Sequence, residues 1–134
     1  MELLDFDAIS AADDRKWEDV PVPEWGGTVR IMGLSGADRD AYETSMIVFG
    51  PEGKPIGRNL ANARARLVAS CLVNADGERI FANGKSVAKL GSKNGAVLDR
   101  LYDKARELSG IAQGSAEVAE GNSGAAPSGS STSA

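Results

Sequence analysis

Gly95-Ala96-Val97-Leu98-Asp99-Arg100-Leu101-Tyr102-Asp103-Lys104-Ala105-Arg106-Glu107-Leu108-Ser109-Gly110 is the stretch that decides the fold. Val97, Leu98, Leu101, Tyr102, Ala105 and Leu108 recur at i, i+1, i+4, i+5, i+8 and i+11, the broad apolar stripe of a helix that faces a core. Gly110 stands where a left-handed residue ends such a helix, and Ile111 can fold back onto its last turn. A helix over about 95–109 is therefore the central expectation, and the remaining elements must supply the surface it buries.

Upstream, Trp17 to Val22 and Thr28 to Met32 are short runs with strand character, separated by Pro23-Glu24-Trp25-Gly26-Gly27. The paired glycines tolerate positive φ, so the run 17–32 reads as a β-hairpin, and Pro21 and Pro23 confine its first strand to a sheet edge. A two-stranded sheet is marginal alone and must lie on helices. Ser35-Gly36-Ala37-Asp38 has the form of a helix start, and Tyr42, Met46 and Phe49 at i, i+4 and i+7 predict a helix over about 35–49, ended by Gly50-Pro51. Residues 52–57 are expected as a surface loop. A further helix over about 59–73 carries Leu60, Ala63, Leu67 and Cys71 on one face, followed by a turn at Asp76-Gly77. Ile80-Phe81 reads as a short extended segment and 86–90 as one helical turn. The expected class is α+β, mainly α, with an N-terminal arm at 1–16 and a single domain at 17–111 in which the hairpin packs on a small helical bundle. From 112 to 134 the chain is dominated by Ala, Gly and Ser, too small to offset ordering entropy, and is expected to be a flexible tail.

Composition narrows the function. The 134 residues include no histidine, which removes the commonest general base and metal ligand. The single cysteine, Cys71, cannot form an intramolecular disulfide, and the acidic N-terminus has no apolar core of a signal peptide, so a reducing cytoplasm is expected. No run of about 18 apolar residues occurs, which argues against membrane spanning. Fifteen basic and 19 acidic side chains give a net charge of −4, and no basic run marks a nucleic-acid face.

The motifs that could carry chemistry fail on inspection. Gly84-Lys85-Ser86 has the end of a phosphate-binding loop, but Arg79 stands where its first glycine belongs. Ser86 and Lys89 have a serine–lysine spacing without the companion motifs of that chemistry. Asn74-Ala75-Asp76-Gly77-Glu78 resembles a calcium loop, yet Leu72 and Asn83 fall at ligand positions. Asp13-Asp14 and Glu18-Asp19 flank an edge strand and read as solvated charge. Cys71 reads as core. No catalytic, cofactor or metal residue emerges, and no enzyme is expected. Trp17, Trp25 and Tyr42 are expected to be buried, with a protein-binding patch as the alternative.

A resemblance extends this reading. The run Val22-Pro23-Glu24-Trp25-Gly26-Gly27-Thr28-Val29-Arg30-Ile31, then Leu34 to Asp40 and Tyr42-Glu43, resembles the small tail assembly chaperones of long-tailed bacteriophages. Arg64 to Ala69, Asp76 to Phe81, and Leu98-Asp99-Arg100-Leu101-Tyr102 leading into Leu108-Ser109-Gly110 follow in the same order. The resemblance implies a non-enzymatic protein of the host cytoplasm that binds the tape measure protein, keeps it soluble and promotes polymerisation of tail tube subunits around it. It implies the shorter product of a frameshifting pair, whose longer form is a further partner, and it is compatible with a homo-oligomer. Trp25, Tyr42, Leu98, Leu101 and Tyr102 are the expected partner-binding residues. The rival reading is a small structural subunit of the virion, a head–tail connector or tail component.

Overall fold

A computed structural model describes residues 2–111, so the expected flexible tail at 112–134 lies outside the described residues. The architecture is α+β and mainly helical, with the hairpin packed on helices. In chain order the elements are α1 (Phe6–Ala11), β1 (Trp17–Val22), β2 (Gly27–Met32), α2 (Gly36–Ser45), β3 (Ile47–Phe49), β4 (Pro55–Arg58), α3 (Ala63–Cys71), β5 (Leu72–Val73), α4 (Gly84–Gly91) and α5 (Gly95–Leu108). One sheet has the order β1-β2-β5, which places β1 at an edge as its prolines require, and β3 and β4 form a second sheet of two strands.

Helix α5 forms because its apolar stripe has a surface to meet and both of its ends are capped. The Asn94 side chain accepts from the amides of Ala96 and Val97. At the other end Gly110 adopts φ 75°, with the Gly110 amide donating to Glu107 and the Ile111 amide to Arg106. That is the paired carbonyl capping of a Schellman ending. Val97, Leu98, Leu101 and Ala105 are buried together with Ala65, Leu67, Val68, Ala69 and Cys71 of α3, Val22 and Ile31 of the hairpin, and Leu72 and Leu90. Each fully buried Leu or Ile here contributes on the order of 1.5–3 kcal/mol relative to exposure.

The hairpin turn contains a short 3₁₀ segment at Pro23–Trp25, closed by Gly26 at φ 81°. At this turn Arg100 donates both guanidinium arms to the Glu24 carboxylate, at 3.0 and 2.9 Å. Four residues further along α5, Lys104 pairs with Glu18 of β1 at 3.2 Å. At the open end of the hairpin, Gly33 is pressed against the last turn of α5. A β-carbon on Gly33 would stand 2.1 Å from the Leu108 carbonyl oxygen, closer than any side chain tolerates.

Five elements differ from the sequence expectation, one of them the single helical turn expected at 86–90, which is the eight-residue helix α4. The helix expected over 35–49 stops at Ser45, whose hydroxyl turns back onto the Tyr42 carbonyl at 2.6 Å. Ile47-Val48-Phe49 then forms a strand instead of the last helical turn, and the expected loop at 52–57 supplies its partner, β4. Two β-branched residues and a phenylalanine favour the pleated conformation, and Gly53 at φ 81° makes the turn between the strands. The helix expected over 59–73 begins only at Ala63, leaving Leu60 exposed, and ends at Cys71. Leu72 and Val73 cross into the first sheet, pairing with Ile31 and Arg30 of β2. After a turn capped by the Asn74 side chain, Arg79 bridges to Val73, so the extended segment centres one residue before the expected Ile80-Phe81.

Two tests follow from the way the hairpin sits on α5. Gly33→Ala should destabilise the fold by about 1–3 kcal/mol or more, because the obstructing atoms are backbone and cannot rotate away; equal denaturation midpoints for the two chains would refute the close approach. The pairing with Arg100 lowers the pKa of Glu24 from 4.5 to about 2. A depressed carboxylate stabilises the fold above its unfolded pKa and loses that effect as the pH falls from about 4.5 towards 2. The stability gap between the native chain and Glu24→Gln should therefore close across that window in pH-dependent melts.

Candidate functional site

The described residues include no helix long and apolar enough to cross a membrane and no cluster of three or more metal-ligating side chains. The features left to examine are surfaces. Gly84-Lys85-Ser86 is the first turn of α4: the Asn83 side chain accepts from the Ser86 amide at 2.9 Å and Ser86 Oγ accepts from the Asn83 amide at 3.2 Å. The residues that look like part of a phosphate loop are thus spent on a capping box. Burial pushes the Cys71 thiol up to about 11, with its Sγ 3.9 Å from the Ser109 hydroxyl, so no thiolate is available at neutral pH.

A groove of about 280 Å³ opens between α2, α3 and the segment from Arg79 into α4. Ala69 of α3 is buried at its base, and Tyr42, Phe81 and Val87 are half-buried along its walls. Across the rim Asp38 of α2 meets Arg79 at 3.3 Å. The volume lies below that of ordinary small-molecule pockets but is sufficient for one or two apolar side chains. A second cleft, of about 380 Å³, lies among Arg15, Lys16, Gly33–Gly36 and Glu107–Gly110. It contains no aromatic side chain and is lined largely by the backbone that locks the hairpin to α5.

Arg66 ties the groove to the β3–β4 hairpin. Its guanidinium donates to the carbonyls of Ser45, where α2 ends, and of Asn59, just past β4. The Asn59 amide in turn donates to the Met46 carbonyl at 2.8 Å, closing the base of this hairpin. Beyond that base the strands are exposed along their whole length, including Ile47, Val48, Phe49 and Ile56.

The expected partner-binding residues divide into two groups. Leu98 and Leu101 are 5% and 0% exposed, which corrects their place in the list: the α5 stripe that carries them is consumed by the core. Trp25, Tyr42 and Tyr102 pack at the core margin and keep part of their surface. Tyr42 and Tyr102 come together through their hydroxyls, and burial, helped by the neighbouring Tyr102, raises Tyr42 to about 12. Arg106 lies over the Tyr102 ring at 5.5 Å. Trp17, expected to be buried, is half exposed and lies beneath the Arg30 guanidinium at 4.0 Å, a cation–π stack on the open side of the edge strand. Sequence reading missed Arg66, Arg79 and Val87 as groove residues, because they converge only through tertiary packing. It also passed over Ile47-Val48-Phe49 and Ile56 as surface residues, although their composition around a Gly-Pro turn was a signal for a hairpin.

Comparison with known proteins decides the family. A family model described as phage tail assembly chaperone matches residues 7–122. The chain belongs to the phage tail assembly chaperones. Among solved structures it is similar to the tail assembly chaperone of bacteriophage HK97, at 20% identity and a TM-score of 0.52, with 80% of this chain and 95% of that one covered. At that identity the likeness is one of fold. A search of curated protein sequences finds no match. Among the described residues, the groove and the exposed β3–β4 hairpin both present apolar side chains.

The role given to Arg66 is open to direct test. Arg66→Met keeps the aliphatic stem but removes the donors to Ser45 and Asn59, at a cost of about 1.5–3 kcal/mol for the charged hydrogen bonds. Amide exchange across residues 47–58 should accelerate well beyond that of α5; uniform acceleration would mean the arginine supports the whole core and not the hairpin in particular.

Proposed function

We propose that this tail assembly chaperone binds the tape measure protein, holds it soluble and promotes polymerisation of the tail tube around it, without chemical catalysis and in the host cytoplasm. The reading rests above all on the family match across residues 7–122. The chain is on this reading the shorter of two frameshift products, with the longer form and tail tube subunits as further partners.

The physical mechanism is a helix laid in a groove. A long helical client exposes apolar side chains at i, i+3 and i+4, and the groove between α2, α3 and α4 has room for an anchor of that kind. Tyr42, Phe81 and Val87 supply its apolar walls, while Asp38 and Arg79 give the rim a polar edge that excludes water around the anchor. Trp25 and Tyr102, on their partly exposed faces, extend the contact. One small groove gives weak binding, and many copies along one client supply the affinity. The acidic balance of the chain keeps such a loaded complex from associating further.

Co-expression with the tape measure protein of the same phage should raise the client's soluble yield and bring both proteins down together. Val87→Glu places a charge on the groove wall at a half-buried site and should weaken client capture about tenfold or more while leaving the melting temperature within a few degrees. Full capture by a folded Val87→Glu chain would move the binding face away from the groove, and absence of any capture by the native chain would remove the client assignment itself.

A further inference from the structure

The groove between α2, α3 and α4 carries a charge that its own walls do not neutralise. Its lining holds two guanidinium groups, Arg66 and Arg79, against one carboxylate, Asp38. Asp38 is engaged by Arg79. Arg66 donates only to the main-chain carbonyls of Ser45 and Asn59, and its Nε has no acceptor. Helix α4, which supplies part of the wall, also carries Lys85 and Lys89, and between Glu78 and Asp99 the sequence has no acidic side chain. Beside this charge stand the apolar surfaces of Phe81 and Val87, both half-buried. The chemistry that complements such a groove is a small apolar side chain flanked by carboxylates.

The chain itself supplies that combination past α5. Of residues 112–134, Glu117 and Glu120 are the only charged ones and Val118 the only branched aliphatic one, and the three fall within four positions. The rest is mainly Ala, Gly and Ser. The family match runs to residue 122 and so takes in this cluster, while residues 123–134 lie outside it.

We propose that residues 117–120 occupy the groove of their own chain, with Val118 against Phe81 and Val87 and the two carboxylates turned to Arg66 and Arg79. The path of the chain permits it. Helix α5 ends beside the start of α2, where the Leu34 amide donates to Ser109 Oγ at 3.0 Å, just before Ser35 caps α2. From there Asp38, Tyr42 and Ser45 carry the groove along α2, over about 10 Å of helix. Val118 lies seven residues past Ile111, a length of chain that spans up to about 23 Å and so reaches along the groove. A short tether holds its end at an effective concentration on the order of millimolar, which lets a contact too weak to form between separate molecules form within one. The inference rests on the reading of the groove as the client site and adds a competitor to it: the client displaces the segment before its own anchor enters.

Two full-length variants, Val118→Asp and Glu117→Lys with Glu120→Lys, test the contact without altering a core residue. In methyl NMR of the chain alone, each should move the Val87 and Ala69 signals relative to native and leave those of Val22 and Leu101 in place. With the tape measure protein of the same phage added, each should capture it about two- to tenfold more tightly, because the native groove is open only part of the time. Identical Val87 and Ala69 signals in all three chains would overturn the proposal, and capture by the native chain that Val87→Glu still abolishes would then leave the client reading standing. Native signals that move to the variant positions on dilution would mean that the segment comes from another copy, which overturns it equally. Moved signals with no capture by any chain would support the docked segment and remove the client assignment instead.

Discussion

The seat of the β1–β2 hairpin along α5 is the constraint from which the rest of the structure follows. Arg100, Lys104 and Leu108 lie at i, i+4 and i+8, one line along the helix, and each meets the hairpin at a different height. Arg100 holds Glu24 at the turn, Lys104 meets Glu18 on the edge strand, and the Leu108 carbonyl touches Gly33 at the open end. The polar contacts are exposed and individually worth little. Their function is to fix the direction of the hairpin, while burial of Val22 and Ile31 against Leu101 and its neighbours supplies the energy. Gly33 sets the distance. Only a residue without a side chain lets the strand end come this close to a helix carbonyl, and Leu34 then donates to the Ser109 hydroxyl at 3.0 Å to close the junction.

Once β2 is fixed, the other elements have few places to go. Its free edge accepts Leu72 and Val73, which ends α3 after Cys71 and turns the chain back through Asn74. Helix α3, packed on α5, carries Ala69 to the floor of the groove, and the same helix presents Arg66 to the base of β3–β4. The groove thus lies beside a core on which α5 spends Val97, Leu98, Leu101 and Ala105. Helix α5 buries both Leu98 and Leu101, and the apolar side chains left half-buried near it, Tyr42, Phe81 and Val87, line the groove between α2, α3 and α4.

This division explains which parts of the structure were legible in the sequence. Helix α5, its Gly110 ending and the Ser35 start of α2 are written locally, in a period of 3.6 residues and in capping side chains, and they form as read. The edge position of β1 follows equally locally from Pro21 and Pro23. The strands β3 and β5 are not local. Met46 and Phe49 fit a helical period as well as Ile47 and Val48 fit a strand, and the choice is made by pairing with 55–58 and by the Arg66 bonds at the base. Leu72 and Val73 continue the apolar pattern of α3 without interruption, and only an unfilled sheet edge draws them out of it. Likewise the α5 stripe was legible as apolar but not as core or interface, since periodicity says that a face is buried and not by what.

The charge of the chain is unevenly distributed. A uniformly acidic body would repel bodies like itself at close quarters. Here five of the acidic side chains fall in residues 2–14, while residues 15–111 carry 15 basic against 12 acidic side chains, a net +3. Contacts between exposed charges are weak one at a time and screened by salt. The β3–β4 ribbon, two strands exposed along their length, is marginal by itself. Buried apolar contact is concentrated in the α3–α5 core, and none of it includes a residue of α1 or of the β3–β4 ribbon.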